Sequence, residues 1–300
     1  MVPRFVVIGA GGRLGAALVR EYSRDGVVRG FGRAELDLTD LGMVRRMLGK
    51  AEFDVLINCA ALTNVDYCES HTDEAFRINA EAPGVMAEIC AQNGARFVHI
   101  STDYVFDGTK PEAYTEEDAA LPISVYGQSK LRGEQLVLAA HERALVARVS
   151  WVFGPDRPSF VDAVLRKARE EERVAAVADK FSTPTYTLDI ASMLRPFVGS
   201  TAAGTGKDPG YGGVLHLTNS GGCSWQEYAQ YALDCCRERG VPMKAQEVAR
   251  LELAQMKNFV ARRPVNTVLS NAKFSQITAW QPRHWREAVA SYIGDYVVRR

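Results

Sequence analysis

The sequence lacks features that several large classes of protein require. It has no excess charge of one sign, because 36 basic residues balance 36 acidic ones, so neither a nucleic acid nor an anionic membrane is expected as a partner. It has no apolar run near the roughly 20 residues that cross a bilayer. Its six cysteines form no CxxC pair, which argues against a disulfide framework and a zinc site. We therefore expect a soluble protein of the reducing cytoplasm.

Three common catalytic motifs are also missing. There is no GxSxG nucleophile turn, no GxxxxGK[ST] phosphate loop and no HExxH zinc motif. These absences argue against a hydrolase, a kinase and a metal enzyme of the corresponding kinds, and no metal site is predicted.

The N-terminal segment carries the pattern of a dinucleotide-binding loop. An apolar run, Phe5 to Ile8, leads directly into GAGGRLG, with glycines at Gly9, Gly12 and Gly15, and then into a good helix former, Ala16 to Tyr22. Glycines let the backbone approach a pyrophosphate, and the helix N-terminus offers free N–H groups. Strand, glycine turn and helix in this order predict dinucleotide binding.

The second predicted strand bears on the choice of dinucleotide. Val27 to Phe31 ends in Gly32 and Arg33, where an NAD-specific site usually has an acid for the ribose 2′-hydroxyl. Glycine followed by arginine leaves room and positive charge for a 2′-phosphate, and Arg13 adds to the same field. NADPH is therefore favoured, with NADH still open as the cofactor. The alternative is that both arginines are simply solvated.

Two further segments fit the rest of a dinucleotide. Asp37 and Leu38 are positioned to meet an adenine edge. A third buried strand, Val55 to Ile57, opens into a segment in which Thr63 could bond a ribose. Small residues in that segment let a flat ligand lie against the backbone, namely Cys59, Ala60 and Ala61.

The stretch YGQSK offers a proton donor. Tyr126 and Lys130 are four residues apart, so on a helix they project from the same face. An ammonium beside a phenol favours the phenolate and lowers the tyrosine pKa. Such a pair can give a proton to a ketone oxygen while hydride arrives from elsewhere. The alternative is an exposed helical turn in which the ring packs on the lysine stem.

Polar residues follow the fourth and fifth predicted strands. Arg96 to Ile100 leads into STDYVFDG, where Thr102 is placed to donate to a carbonyl and Asp103 to meet a sugar hydroxyl. The fifth strand ends in SWVFG, which brings Trp151 to the same edge, because the carboxyl ends of parallel strands meet there. His99 is interpreted as a core residue, since no carboxylate or cysteine partner is evident.

The second half of the chain has a looser pattern. It predicts helices at Ser159–Arg173, Ser224–Arg239 and His284–Val298, strands at Val174–Ala178 and Val214–Leu217, and a surface loop at Thr201–Gly213. The predicted fold is α/β, a Rossmann-type doubly wound parallel sheet with a smaller α+β substrate-binding lobe. We expect residues 1–151, with about 179–219 returning to them, to form the dinucleotide-binding domain. Residues 152–178 and 220–300 would form the lobe.

The motifs together resemble a known family. GAGGRLG, NCAA, STDYVF, YGQSK, SWVFG, PTY and ARRP, in this order, resemble the extended short-chain dehydrogenase/reductases, and within them the dTDP-4-dehydrorhamnose reductase family. The resemblance runs from Phe5 to about Val298. It implies reduction of the C4 ketone of dTDP-4-dehydro-6-deoxy-L-mannose by NADPH or NADH, giving dTDP-L-rhamnose.

The resemblance also implies roles for individual residues. Tyr126 would donate the proton, Lys130 would hold the nicotinamide ribose, Thr102 would polarise the carbonyl, and Asn79 would support a proton-relay water. The predicted dinucleotide contacts are Gly9, Gly12, Arg13, Leu14, Gly15, Arg33, Asp37, Leu38, Ala60, Ala61, Leu62, Thr63, Tyr126 and Lys130. The predicted substrate contacts are Thr102, Asp103, Tyr126 and Trp151.

Departures from the family pattern concern mainly the substrate. Where the family usually has DQxGxPT, this chain has Lys180 in place of the glutamine. Some members join subunits through magnesium held by glutamates, but Ala16 and Ala17 stand here, so a homodimer is allowed without that metal. Two alternatives stay open: a non-catalytic NADP-binding protein resembling the regulatory subunit of methionine adenosyltransferase, and a reductase or epimerase for another nucleotide sugar.

Overall fold

A computed structural model describes residues 2–199 and 209–298. Its strands are β1 (Arg4–Ile8), β2 (Val27–Phe31), β3 (Val55–Asn58), β4 (Arg96–Thr102), β5 (Leu145–Val149), β6 (Val152–Phe153), β7 (Val174–Val177), β8 (Phe181–Ser182), β9 (Thr185–Tyr186), β10 (Gly213–His216), β11 (Cys223–Ser224) and β12 (Val248–Leu251). Its α-helices are α1 (Arg13–Tyr22), α2 (Leu41–Leu48), α3 (Val65–Ser70), α4 (Thr72–Phe76), α5 (Ala82–Asn93), α6 (Val125–Ala140), α7 (Phe160–Glu170), α8 (Thr187–Leu194), α9 (Trp225–Glu238), α10 (Ala272–Thr278) and α11 (Trp285–Tyr292). Turns of π-helix follow α4 at Arg77–Glu81 and α11 at Ile293–Val297.

Six parallel strands form the main sheet, in the order β2-β1-β3-β4-β5-β10. β1, β3 and β5 are buried almost throughout, because helices cover both faces and their apolar runs suit such strands. From β1 the chain first adds β2 on one side and then crosses to β3 on the other. The predicted doubly wound fold is confirmed, and this reversal lies where such sheets bind ligands.

The first helix begins earlier than predicted. α1 starts at Arg13 rather than Ala16, because Gly12 already has an extended backbone that caps the helix. A side chain at Gly15 would place its Cβ 2.2 Å from the Gly9 carbonyl oxygen. The helix therefore packs directly on the glycine turn, and that close approach requires glycine.

Residues 72–93 form one continuous helical stretch. A π-helical turn, Arg77–Glu81, joins α4 to α5, and Pro83 lies in the first turn of α5. Proline has no N–H to donate to the carbonyl four residues earlier, that of Asn79. The helix is therefore widened into a π-helical turn just before Pro83, and such turns are frequent at functional sites.

The smaller lobe is built from short sheets and three helices. β7 pairs with β12, β6 with β9, and β8 with β11. α7, α9 and α11 enclose an aromatic core that includes Phe153, Tyr228, Trp285 and Tyr292. α7 ends at Glu170, before the predicted end at Arg173, whereas α11 continues as π-helix to Val297, close to the predicted end at Val298. Most of the predicted loop Thr201–Gly213 lies outside the described residues.

Later segments of the chain return to the main sheet. β10 pairs with β5, and α8 buries Ile190 and Leu194 in the same core as Phe5 and Val7. Phe274 of α10 joins that core as well. β10 and α8 lie in the segment that was expected to return to the sheet, whereas Phe274 lies in the segment that was assigned to the lobe, so the division into two domains stays a prediction. Within residues 2–199 and 209–298, no helix is long and apolar enough to cross a membrane.

Candidate active site

A cleft of about 640 Å³ opens at the carboxyl ends of the sheet strands. Its volume lies within the range of about 300 to 1,000 Å³ that is usual for small-molecule sites. Sixteen of the predicted residues line it, namely Gly9, Gly12, Arg13, Leu14, Arg33, Asp37, Leu38, Ala60, Ala61, Leu62, Thr63, Thr102, Asp103, Tyr126, Lys130 and Trp151. Gly15 and Asn79 lie behind this lining, where Gly15 packs α1 on the glycine turn.

The glycine turn forms a cradle for a polar ligand. Gly9 has a φ of +79°, and a Cβ there would lie 2.7 Å from the Ala60 backbone nitrogen. The floor of the cleft is therefore bare backbone, and α1 points its N-terminus at it. These features suit the pyrophosphate of a dinucleotide.

Two arginines close one side of that turn. Arg157 donates from Nε to the Gly11 carbonyl at 2.9 Å, while Arg13 donates to the carbonyls of Arg157 and Pro158. Burial lowers the pKa of Arg13. Sequence reasoning missed Arg157, because 146 residues separate it from Gly11.

A carboxylate, from Glu35, and a guanidinium, from Arg33, follow the end of β2. The Gly32 N–H donates to Glu35 Oε2 at 2.8 Å, and a Cβ at Gly32 would lie 2.9 Å from that oxygen. Glu35 thus places a carboxylate at the end of β2, although it is not among the residues that line the cleft. Arg33 lines the cleft, and its guanidinium lies 3.8 Å from Glu74.

Thr102 and Tyr126 bring two hydroxyls together at the end of β4. Both residues are buried and line the cleft. Burial raises the pKa of Tyr126, although the nearby Thr102 side chain opposes that effect. The expected lowering of this pKa is therefore wrong for this arrangement, because desolvation dominates and the neighbouring Asp103 raises the pKa further.

Lys130 points its amine toward β4. Its Nζ donates to the Ile100 carbonyl at 2.7 Å and lies 3.1 Å from His99 Nε2. Burial lowers the pKa of Lys130 to about 8, and Glu134 partly opposes this. His99 is buried as predicted, but it has polar partners that the sequence did not reveal, since its Nδ1 lies 3.2 Å from Asn58 Nδ2.

Asn79 is joined to the cofactor side of the cleft through Leu62. Its Oδ1 accepts from the Leu62 N–H at 2.8 Å, and its Nδ2 donates to the Leu62 carbonyl at 3.1 Å and to Ser129 Oγ at 3.0 Å. Ser129 in turn donates to the Tyr126 carbonyl at 2.8 Å. Asn79 therefore ties a cleft loop to the helical turn of Tyr126, and its role in a water relay stays a prediction.

Asp103 and Trp151 form the side of the cleft nearest the lobe. Asp103 accepts from Ser150 Oγ at 2.8 Å and from Thr102 Oγ1 at 3.1 Å. Burial raises the pKa of Asp103, while the nearby Lys180 favours its charged form. Trp151 has a φ of 42°, a strained conformation for a bulky residue, and its ring packs on the aromatic core of the lobe.

Comparisons with known proteins agree with this geometry. The family model described as RmlD substrate binding domain matches residues 3–298. The spore coat polysaccharide biosynthesis protein SpsK of Bacillus subtilis is 33% identical over 97% of both chains. A dTDP-4-dehydrorhamnose reductase of Aggregatibacter actinomycetemcomitans is 33% identical over 95% of this chain and 97% of the relative.

A solved structure is equally similar. The crystal structure of the Bacillus anthracis dTDP-4-dehydrorhamnose reductase in complex with NADP has a TM-score of 0.88 and 30% identity. The match covers 98% of this chain and 100% of that one. The similarity therefore extends over both the sheet and the lobe.

Proposed function

Because the chain belongs to the RmlD family of NAD(P)H-dependent sugar-nucleotide reductases, we propose that it reduces the C4 ketone of dTDP-4-dehydro-6-deoxy-L-mannose to dTDP-L-rhamnose. The observation that carries the proposal is the pair of hydroxyl-bearing residues, Thr102 and Tyr126, that line the same cleft as the glycine turn. The bare backbone at Gly9 supports a dinucleotide there, which would supply the hydride.

In this proposal Tyr126 is the proton donor. Its raised pKa keeps the phenol protonated at neutral pH, which is the form that can give a proton to the developing alkoxide. The Thr102 hydroxyl, which donates to Asp103 in this structure, would turn to donate a second hydrogen bond to the same oxygen. Donors aimed at a developing oxyanion are worth roughly 3 kcal/mol each.

Lys130 acts on the cofactor side. Its amine is held beside β4 and near the cleft, where it can bond the ribose of the nicotinamide nucleoside. Asp103, beside Trp151, supplies the acceptor for a sugar hydroxyl.

We propose that both NADPH and NADH are used, because Arg33 supports a 2′-phosphate and Glu35 a 2′-hydroxyl.

A second candidate concerns the sugar. The similarity to SpsK, named for spore coat polysaccharide biosynthesis, and the buried Lys180 near Asp103 favour a reductase for another nucleotide sugar. The chemistry at the ketone would be the same. A panel of 4-keto nucleotide sugars that differ in sugar and base distinguishes the two.

The direct test is to mix the protein with NADPH and the 4-keto sugar nucleotide and to follow the nicotinamide absorbance. We expect oxidation of NADPH, and Tyr126→Phe should lower turnover by about a hundredfold or more while NADPH still binds. Tyr104→Phe is the matched control, because its ring packs edge-on against Tyr126 at 5.8 Å and it does not line the cleft. NADPH that binds but is never oxidised would instead support the non-catalytic alternative.

A further inference from the structure

A buried row of polar side chains runs behind the cleft. Asn58 at the end of β3, His99 on β4 and Lys130 on α6 are each at most 1% exposed. Asn58 Nδ2 lies 3.2 Å from His99 Nδ1, and His99 Nε2 lies 3.1 Å from Lys130 Nζ. The row therefore joins the sheet to the amine of the cleft.

The direction of the hydrogen bonds along the row is fixed by Asn58, the residue at the end away from Lys130. The Ala60 backbone N–H donates to Asn58 Oδ1 at 3.1 Å, and a backbone N–H can only donate. The other face of the Asn58 amide must then be its NH₂ group, which points at His99 Nδ1. Nδ1 is therefore an acceptor without a proton, and a neutral imidazole carries its one proton on Nε2.

The proton on His99 Nε2 needs an acceptor, and Lys130 Nζ is the atom in reach. An uncharged amine has a lone pair for it, whereas an ammonium has none. The amine still donates to the Ile100 carbonyl. The other ionisable groups that face Lys130 are Cys59 at the end of β3 and Glu134 one turn along α6, and both favour the ammonium.

We propose that His99 is a positioning residue that acts through Lys130, donating from Nε2 to the amine and favouring its uncharged form. Asn58 fixes the tautomer, so Asn58 and His99 together decide the pH at which the cleft gains a positive charge beside Tyr126. Burial brings the pKa of Lys130 to about 8, so one hydrogen bond can decide its charge near neutral pH. The relevance to turnover rests on the proposed function, but the tautomer does not.

Nitrogen NMR of the full chain with ¹⁵N-labelled histidine tests the tautomer directly. We expect His99 to show a bare Nδ1 and a protonated Nε2, with its signals assigned by their loss in His99→Gln. Two other buried histidines serve as references. His141 should show the same pattern, because its Nδ1 accepts from the Arg143 N–H, and His216 the opposite one, because its Nδ1 faces the Ser270 carbonyl. A protonated Nδ1 on His99 would overturn the proposal.

The variant Asn58→Asp should reverse the direction of the hydrogen bonds along the row of Asn58, His99 and Lys130. A carboxylate can accept from both Ala60 and His99 Nδ1, so His99 would present a bare Nε2 to Lys130. We expect the ¹⁵N pattern of His99 to invert and the Lys130 pKa, followed by ¹³C NMR of its ε-carbon, to rise by about one unit or more. The alkaline limb of the pH profile of turnover should move the same way. An unchanged tautomer and an unchanged Lys130 titration would contradict the proposal.

His99→Gln covers the case in which Asn58→Asp does not fold. Its side-chain carbonyl can accept from an ammonium, so the pKa of Lys130 should again rise, whereas an equal or lower value would refute the donor role. His141→Gln is the control and should leave the Lys130 titration unchanged. The expected tautomer in a protein that does not reduce the ketone would refute only the proposed function. The opposite tautomer in an active enzyme would refute only this inference.

Discussion

Replacing Asn79 by alanine separates a positioning role from a relay role. Asn79 makes three hydrogen bonds, two with the Leu62 backbone and one with Ser129. Leu62 lines the cleft, and Ser129 bonds the carbonyl of Tyr126. Asn79→Ala therefore releases the cofactor loop from the turn of α6 that carries the proton donor.

The size of the effect follows from these bonds. A hydrogen bond contributes about 1 kcal/mol net, and more where a buried partner is left unpaired. Asn79 is fully buried, while Leu62 is partly open to solvent, so water can satisfy part of what is lost. We expect the free energy of unfolding to fall by about 3 kcal/mol. The KM for NADPH should rise, and kcat at saturation should fall less than about tenfold.

Urea unfolding, NADPH titration and steady-state kinetics on the same preparation measure all three quantities. Asn64→Ala is the matched control, because Asn64 makes one capping bond to the Tyr67 N–H at the exposed start of α3. It should cost about 1 kcal/mol and leave KM unchanged. A hundredfold loss of kcat with an unchanged free energy of unfolding would refute the positioning role and establish the relay.

Two further predictions concern charge. Arg33→Ala should raise the KM for NADPH more than that for NADH, and Glu35→Gln should raise the KM for NADH more than that for NADPH. Initial rates with each cofactor measure both effects. Equal effects on the two cofactors would refute the assignment of Arg33 to the 2′-phosphate and of Glu35 to the 2′-hydroxyl. The hydrogen bond from Lys110 lowers the pKa of Asp118 to about 2 from 3.8, so its stabilisation is present above pH 3.8 and is lost as the pH falls toward 2. Asp118→Asn should flatten the acid side of the unfolding curve over that interval, and an unchanged acid limb would contradict the pairing.

The first half of the fold could be predicted because its signals are local. The apolar run of β1 runs straight into the Gly9 turn and α1, so strand, loop and helix stand within a few residues of each other. Thr102 and Trp151 were placed at one edge because parallel strands end together. The helix start at Arg13 was misplaced, since capping by Gly12 is a matter of backbone angles.

Contacts distant in sequence could not be predicted in this way. His99 gains its partners from residues 41 and 31 positions away, and no periodic pattern links them. The pKa of Tyr126 was misjudged for a related reason. A spacing of four residues reports that Lys130 is near, but it does not report how much water both groups lose on folding.

The lobe contributes to the electrostatics of the site as well as to its lining, to which Val152 and Arg157 belong. Lys180, which follows β7, is buried and donates to the Pro264 carbonyl at 2.6 Å, with its amine 5.1 Å from the centre of the Tyr104 ring. Burial raises the pKa of Asp103, and the charge of Lys180 partly offsets that effect. The charge of Asp103 therefore depends on how the lobe packs on the end of β4. If the ketone chemistry belongs to Thr102 and Tyr126 as proposed, we expect a change where the lobe meets the sheet, such as Lys180, to alter the choice of sugar before it alters the reaction.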